Sequence, residues 1–427
     1  MNSRQIYHRT QLANGLRVVT APRQETESVA VGIWINAGGR YENGRSNGIS
    51  HFLEHLLFKG TRTRSSREIK TAIEGSGGVL NAFTEEEFTC VWAKVLPQNL
   101  RPAVEILTDM VRFSELDPEE LEKERQVILE EIRMYRDLPM QSVHELLNTL
   151  LWPNHPLGMV LAGTEKSVKR IRRLDLRSYQ KRFYTPRNIC VAAAGLFNHR
   201  MLVDIITPLW AKVPPGRPSL YAKVHERQQK PRCKIESKET EQTHFCLGFH
   251  AFPRNHPQTQ ALNLLNIILG GNMSSRLFQK VREDKGLAYE IGSQVKRYRD
   301  TGFFSVSAGV EHRHLVRSLA VILQELKRVR HQLVTQREFD QAITFFISQI
   351  LFALEDTVEQ MCWIGECEML LGRIQPVEEI VDQVKKLHRH DLKEVARKMI
   401  RSEHLSMAVI GPVKPKVSTR IPEMLTV

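Results

Sequence analysis

His51, Glu54 and His55 are residues whose types and spacing could do chemistry together. On a helix, positions i and i+4 are neighbours on one face, so both imidazoles can reach a single ion. Glu54 precedes the second histidine by one residue and swings to the flank of the pair. There its carboxylate could accept a proton from a metal-bound water. This His-x-x-Glu-His order is the inverse of His-Glu-x-x-His; its plain alternative is a helix with two incidental histidines on a polar face. A catalytic zinc needs a third protein ligand and one open position. The stretch Glu115–Glu131 offers eight acids in 17 residues. Glu124 and Glu131 are seven apart, about 700° around a helix, so they share a face and flank Val127 and Ile128. Glu130 points about 100° away, and Glu119, Glu120 and Glu122 read as a solvated surface. Helical phase leaves Glu124 and Glu131 as equal candidates.

The elements that would position these groups are legible in part. Leu16–Ala21 and Val29–Ala37 read as strands, rich in Val and Ile and punctuated by Asn14-Gly15 and Gly38-Gly39. Gly48–Phe58 reads as a short helix closed by Gly60. Ser65 to Glu68 form a capping box for a helix that stops at Gly75. The run from Gly77 to Thr84 leads into another strand through Val95. Asp117-Pro118 opens a long helix to about Tyr135.

The chain is also duplicated. Val168–Gly195 lies over Val384–Gly411 without a gap, with seven identities that include Asp175/Asp391, Leu176/Leu392 and Gly195/Gly411, 216 positions apart. Each copy reads as a basic helix followed by a strand ending at Gly. One repeat at half the chain length signals a doubled domain rather than a solenoid. The expected division is a metal-binding domain over 1–213, a polar, Pro-bearing linker over 214–238 and a second domain over 239–427. Gln258–Ser275, where the repeat places the partner of the metal helix, holds no His, Asp or Glu, so one metal site per chain is expected.

With 427 residues, 41% apolar and 26% charged, the composition fits a globular protein of two or three domains. The net charge of +13 invites a nucleic-acid reading, but no zinc-finger, RRM or helix-turn-helix signature accompanies it. Lys166–Arg182 and Lys385–Arg401 carry much of the excess and read as solvated faces. The six cysteines lack any Cys-x-x-Cys spacing and read as thiols of a reducing compartment. No apolar run is long enough to span a bilayer. Met1 to Thr10 has no apolar signal core, although Arg4, Arg9 and the absence of acids before Glu25 faintly resemble a transit peptide. The expected location is cytoplasmic, of bacterial type, ahead of a mitochondrial matrix.

HFLEHLLFKGT at His51, followed by SGGVLNAFT and then ERQVILEEI, resembles the inverzincin peptidases of the pitrilysin family, above all the short processing-peptidase branch. The resemblance runs from Leu12 to Gly411. It implies that His51, His55 and Glu131 bind one Zn2+, with Glu54 as general base and Glu124 as an accessory acid. NMSSRLF at Asn272 and VREDKGLAY at Val281 match the family's second half. They imply that Arg282 and Tyr289 hold substrate and stabilise a developing oxyanion; the bland reading puts Arg282 in a surface ion pair and Tyr289 in the core. Asn81 and Ala82 resemble the family's edge strand, on which a peptide lies as an added strand. Glu87 matches a family Glu and could support the site. His388 and His390 read as surface residues.

The implied fold is α+β, with two homologous domains, each a mainly antiparallel sheet with helices packed on it. The implied activity is zinc-dependent endopeptidase cleavage of extended peptides or unfolded segments. The competing reading is a non-catalytic structural or partner subunit of the same fold. A homodimer, or a heterodimer with a related subunit, is implied by resemblance; no nucleic-acid or membrane partner is expected.

Overall fold

The computed structural model describes residues 6–427. Eleven described strands form two sheets, one in each of two compact units. In the first, β1 (His8–Gln11), β2 (Arg17–Pro22), β3 (Val29–Ile35), β4 (Val79–Thr84), β5 (Thr89–Val95) and β6 (Ile189–Gly195) lie in the order β1-β2-β6-β3-β5-β4. In the second, β7 (Arg232–Glu236), β8 (Thr243–Ala251), β9 (Ala288–Arg297), β10 (Gly302–Val310) and β11 (Leu405–Ile410) lie in the order β7-β11-β8-β10-β9. Removing β1 leaves the same five-strand order in both. Each also has a single parallel pair, β2 with β6 and β7 with β11. The 216-residue offset carries Val29 of β3 to Phe245 of β8 and Ile189 of β6 to Leu405 of β11. The fold is therefore a duplicated α+β domain.

In the first unit the sheet is covered on both faces, which suits the uninterrupted burial of β3. One face packs Val31, Ile33, Ile35, Val91 and Val191 against α1 (Ile49–Leu57), α2 (Ser66–Glu74) and α3 (Leu100–Phe113). α4 (Pro118–Asp137) adds Leu121 and Ile128 to the same core. The other face packs Trp34, Cys90, Cys190 and Ala192 against Met361 and Ile364 of the helix Thr357–Leu371. That helix approaches the sheet closely because Gly365 faces Trp34: a Cβ there would stand 2.3 Å from the indole. Its Glu368 is fully buried and accepts two hydrogen bonds from Arg9, at 3.0 and 3.1 Å, and one from Arg17 at 3.5 Å. A buried carboxylate needs such partners.

In the second unit α5 (Pro139–Leu151) plays the matching part, packing Val143 and Leu147 with Cys246 of β8 and Ala408 of β11. Each sheet thus takes one covering helix from the opposite half of the sequence. The first unit comprises the described part of Met1–Ile132 with Met159–Ala222 and Leu351–Pro376; the second comprises Arg133–Gly158, Lys223–Ile350 and Val377–Val427. This differs from consecutive blocks over 1–213 and 239–427, and β7 lies inside the stretch read as linker. The single strand expected to run through Val95 is a hairpin, β4 and β5, closed by the Glu85 N–H donating to the Phe88 carbonyl. All six cysteines are free thiols. No described helix is long and apolar enough to cross a membrane.

Candidate metal centre

α1 is fixed at its start by a buried carboxylate. Glu42, 4% exposed, accepts hydrogen bonds from the Gly48 and Ser50 backbone N–H groups at 2.7 and 2.9 Å. The Ser50 hydroxyl donates at 2.6 Å and the Asn47 amide at 3.2 Å. These satisfy open amides of the first turn and place negative charge at the positive end of the helix. Burial still pushes the Glu42 carboxyl up to about 7, against the pull of those bonds.

From that anchored turn, His51 and His55 project side by side, ring centroids 4.6 Å apart and edge to face. Burial, with His55 adjacent, pushes the His51 imidazole down to about 3, so it is neutral near pH 7 and carries a free lone pair. α4 supplies the third group. Asp117 caps it by accepting from the Glu119 and Glu120 N–H groups at 2.8 and 3.1 Å. Arg125 lies 5.3 Å over the Phe52 ring and donates to the Val168 and Ile171 carbonyls, which fixes the rotation of α4 against α1. With that rotation, the Glu131 Oε2 stands 3.7 Å from His51 Nε2 and 3.6 Å from His55 Nε2.

Among the described residues, His51, His55 and Glu131 form one group whose ligand atoms lie within 4.8 Å of one another. Two atoms about 2.1 Å from one tetrahedral ion stand about 3.4 Å apart, and the two carboxylate-to-imidazole spacings, 3.6 and 3.7 Å, lie close to that. The donor set, two neutral-capable imidazoles and one carboxylate, suits zinc. Glu124, on the same face of α4, takes a different place. Its Oε2 accepts from His55 Nδ1 at 3.0 Å, and its Oε1 is 2.5 Å from Lys59 Nζ. A carboxylate on the far nitrogen sets the tautomer that frees Nε2. His51 Nδ1 is buried and has no hydrogen-bond partner among the described residues.

Glu54 flanks the trio. Burial pushes its carboxyl up from the ordinary value of 4.5, against a hydrogen bond from the Thr84 hydroxyl and the adjacent His55; the negative Glu131 pushes the same way as burial. α1 packs on β4, the edge strand, in which Asn81 is paired with Trp92 and Ala82 with Val91 of β5. Asn81 is exposed and Ala82 half-buried, and the outer edge of β4 carries no strand among the described residues. Glu87 is 2% exposed, and its carboxylate pairs with the buried Arg40 guanidinium at 2.6 Å.

Arg282 and Tyr289 lie in the second unit and meet each other: the guanidinium stands 5.6 Å from the Tyr289 ring and 4.8 Å from that of Phe278. Tyr289 is 74% exposed, so it does not pack in a core, and Arg282 Nε is 3.8 Å from its neighbour Glu283. The helix Thr259–Gly270 follows β8 as α1 follows β3, and contains no His, Asp or Glu.

Comparisons with known proteins place the whole chain in a family. The family model described as insulinase (peptidase family M16) matches residues 17–165, and that of the peptidase M16 inactive domain matches 170–346. An uncharacterized zinc protease of Bacillus subtilis, YmxG, is 37% identical over 93% of this chain and 97% of its own length. The chain belongs to peptidase family M16. An uncharacterized zinc protease of Streptomyces coelicolor is 35% identical over 97% of this chain and 91% of its own. Among solved structures, a protease from Helicobacter pylori superposes with a TM-score of 0.90 at 22% identity, covering 96% of this chain and 100% of that one. A chain of complex III2 from Candida albicans shares the fold, with a TM-score of 0.84 at 18% identity over 98% of this chain and 100% of that one.

Three residues of this candidate site were not singled out from sequence. Lys59 lies at i+4 from His55, a spacing that would have placed it on the metal face. Thr84 reaches the site through tertiary structure, and Glu42 caps α1 from six residues before Gly48 and eight before Ser50, outside the usual capping spacing.

Proposed function

We propose that this M16 protein is a zinc-dependent metalloendopeptidase acting on extended peptides or unfolded segments. The observation that supports it best is the convergence of His51 Nε2, His55 Nε2 and Glu131 Oε2 beside the partly desolvated Glu54 carboxylate. A zinc ion held there would polarise a carbonyl and make water acidic enough to lose a proton near neutral pH. Glu54 takes that proton on its carboxylate and hands it to the departing amine; its raised pKa brings it closer to the pH at which it must do both. Glu124 keeps His55 oriented. The unpaired edge of β4, through Asn81 and Ala82, binds the substrate backbone by strand addition, which tolerates varied sequences. Arg282 and Tyr289 supply a cation and a phenol hydroxyl for the substrate carbonyl. The working assembly is a homodimer or a heterodimer with a related subunit.

Glu54→Gln separates this reading from a structural subunit of the same fold. Full zinc content with cleavage of a basic, extended peptide lowered by about 10²-fold or more is the expected result. Zinc-loaded variant that cleaves at the wild-type rate removes Glu54 from the base role. A wild-type protein that binds zinc and cleaves nothing favours the structural subunit.

A further inference from the structure

The first unit contains a groove of about 490 Å³ whose lining includes none of the residues assigned above. Its lining is cationic. The helix Arg173–Phe183 contributes Arg173, Arg177 and Lys181, spaced i, i+4 and i+8 and so on one stripe, and Arg62 and Arg112 complete the ring. Glu115 is the one acid on its wall among the described residues. Two of the cations are fixed without being neutralised. Arg112 donates to the Leu209 carbonyl and stacks 4.5 Å from the Phe113 ring. Arg173 donates to the Leu116 and Glu115 carbonyls at 2.6 and 3.1 Å. The side chains of Arg62, Arg177 and Lys181 have no hydrogen bond or ion pair among the described residues. Tyr184 lines the same groove, is 8% exposed, and its hydroxyl has no hydrogen-bond partner among the described residues.

The duplicated half offers an internal control. The stripe recurs there as Arg389, Lys393 and Arg397, so a basic stripe by itself is part of the scaffold. The second unit also has a groove, of about 450 Å³, lined by Arg330, Arg397, Lys398, Arg401 and Glu394, but there acids of the chain pair with two of the four cations. Glu394 pairs with Lys398 at 2.5 Å, Glu403 pairs with Arg401, and Arg330 donates to the Val427 carbonyl at 2.5 Å. At the positions of Glu394 and Glu403 the first copy has Ser178 and Arg187, and none of the cations lining its groove has an ion pair among the described residues. Like charges gathered around a concavity raise the local potential, and a bound anion relieves it.

We propose that this groove binds a small, soluble, multiply charged anion of the oligophosphate class. Its volume suits a small molecule rather than a duplex, and arginine forks on fixed stems match phosphate oxygens. The test uses the full chain, stripped of metal so that phosphate cannot act through a metal ion, with tripolyphosphate as the probe in calorimetry. One equivalent binds at about 50 mM salt and more weakly at about 200 mM, because the contacts are screened. Arg177→Ala/Lys181→Ala weakens binding by about tenfold or more, with an unchanged melting temperature and an unchanged zinc content after reloading. The matching change in the second copy, Lys393→Ala/Arg397→Ala, leaves binding intact. No binding, or equal binding by wild type and Arg177→Ala/Lys181→Ala, overturns the proposal. So does stripe-dependent binding of a single-stranded oligonucleotide, or of phosphatidylcholine vesicles carrying a phosphoinositide, without binding of tripolyphosphate.

Discussion

At the scale of residues, the informative contrast is between Glu124 and Glu131. They share a face of α4 yet meet opposite nitrogens: Glu131 faces both Nε2 atoms, whereas Glu124 holds His55 Nδ1 and Lys59. Replacing Glu131 by Gln removes a charged donor and is expected to lose stoichiometric zinc. Glu124→Gln keeps the donor set and is expected to weaken zinc by about 10- to 100-fold. Competition with a calibrated chelator measures both, and the reverse order would exchange their roles. Tyr289 gives a second residue-level expectation. It is 74% exposed, so Tyr289→Phe should leave the melting temperature unchanged while lowering kcat through loss of a hydroxyl donor. Steady-state kinetics beside a melting curve separates the two effects.

At the scale of elements, the contact that lets the helix Thr357–Leu371 lie on the sheet is Gly365 against Trp34. A methyl group there has no room, because the neighbour is a rigid buried ring. Gly365→Ala is expected to destabilise the protein by about 1–3 kcal/mol, read as a lower midpoint in denaturant. In the second unit, Glu338 heads the helix Gln336–Ala353. Burial alone would raise its carboxyl, but Arg276, at 2.6 and 2.9 Å, and the Thr335 N–H and hydroxyl outweigh it and hold it down to about 2. A carboxyl lowered in the folded state contributes stability above its unfolded value of 4.5, and loses it as pH falls toward about 2. Glu338→Gln should therefore flatten the acid side of a stability-against-pH curve in that window and cost stability above it. An unchanged acid limb would deny the pair that role. These elements also mark what the sequence makes legible. The α1 motif, the Ser65 capping box and the phase of α4 are local patterns, and the structure contains all three elements. The helix Thr357–Leu371 has apolar residues on every side because both it and the sheet it covers are buried, so no periodicity announces its partner. The β4–β5 hairpin hides in a run without a Gly or Pro break between Thr84 and Thr89.

At the scale of the whole molecule, duplication and exchange act together. Each half of the sequence holds one sheet, and each sheet takes its covering helix, α5 or Thr357–Leu371, from the other half. Residues 1–222 expressed alone would leave Trp34 and the other sheet partners of Met361 exposed and are expected to be insoluble. Co-expressed with 223–427, they are expected to copurify as a soluble pair; a soluble, cooperatively melting 1–222 would contradict the exchange. The net charge of +13 also has a different meaning at this scale. Acids gather on α4 beside the candidate metal ligands, and the cations lining the first unit's groove have no ion pairs among the described residues. The most direct measurement is a zinc titration into metal-stripped protein, following cleavage of an extended peptide. Cleavage absent at the start and rising to a plateau at one zinc per chain is the expected result. Cleavage that needs no metal, or a chain that fills with one zinc and never cleaves, would contradict the proposed function.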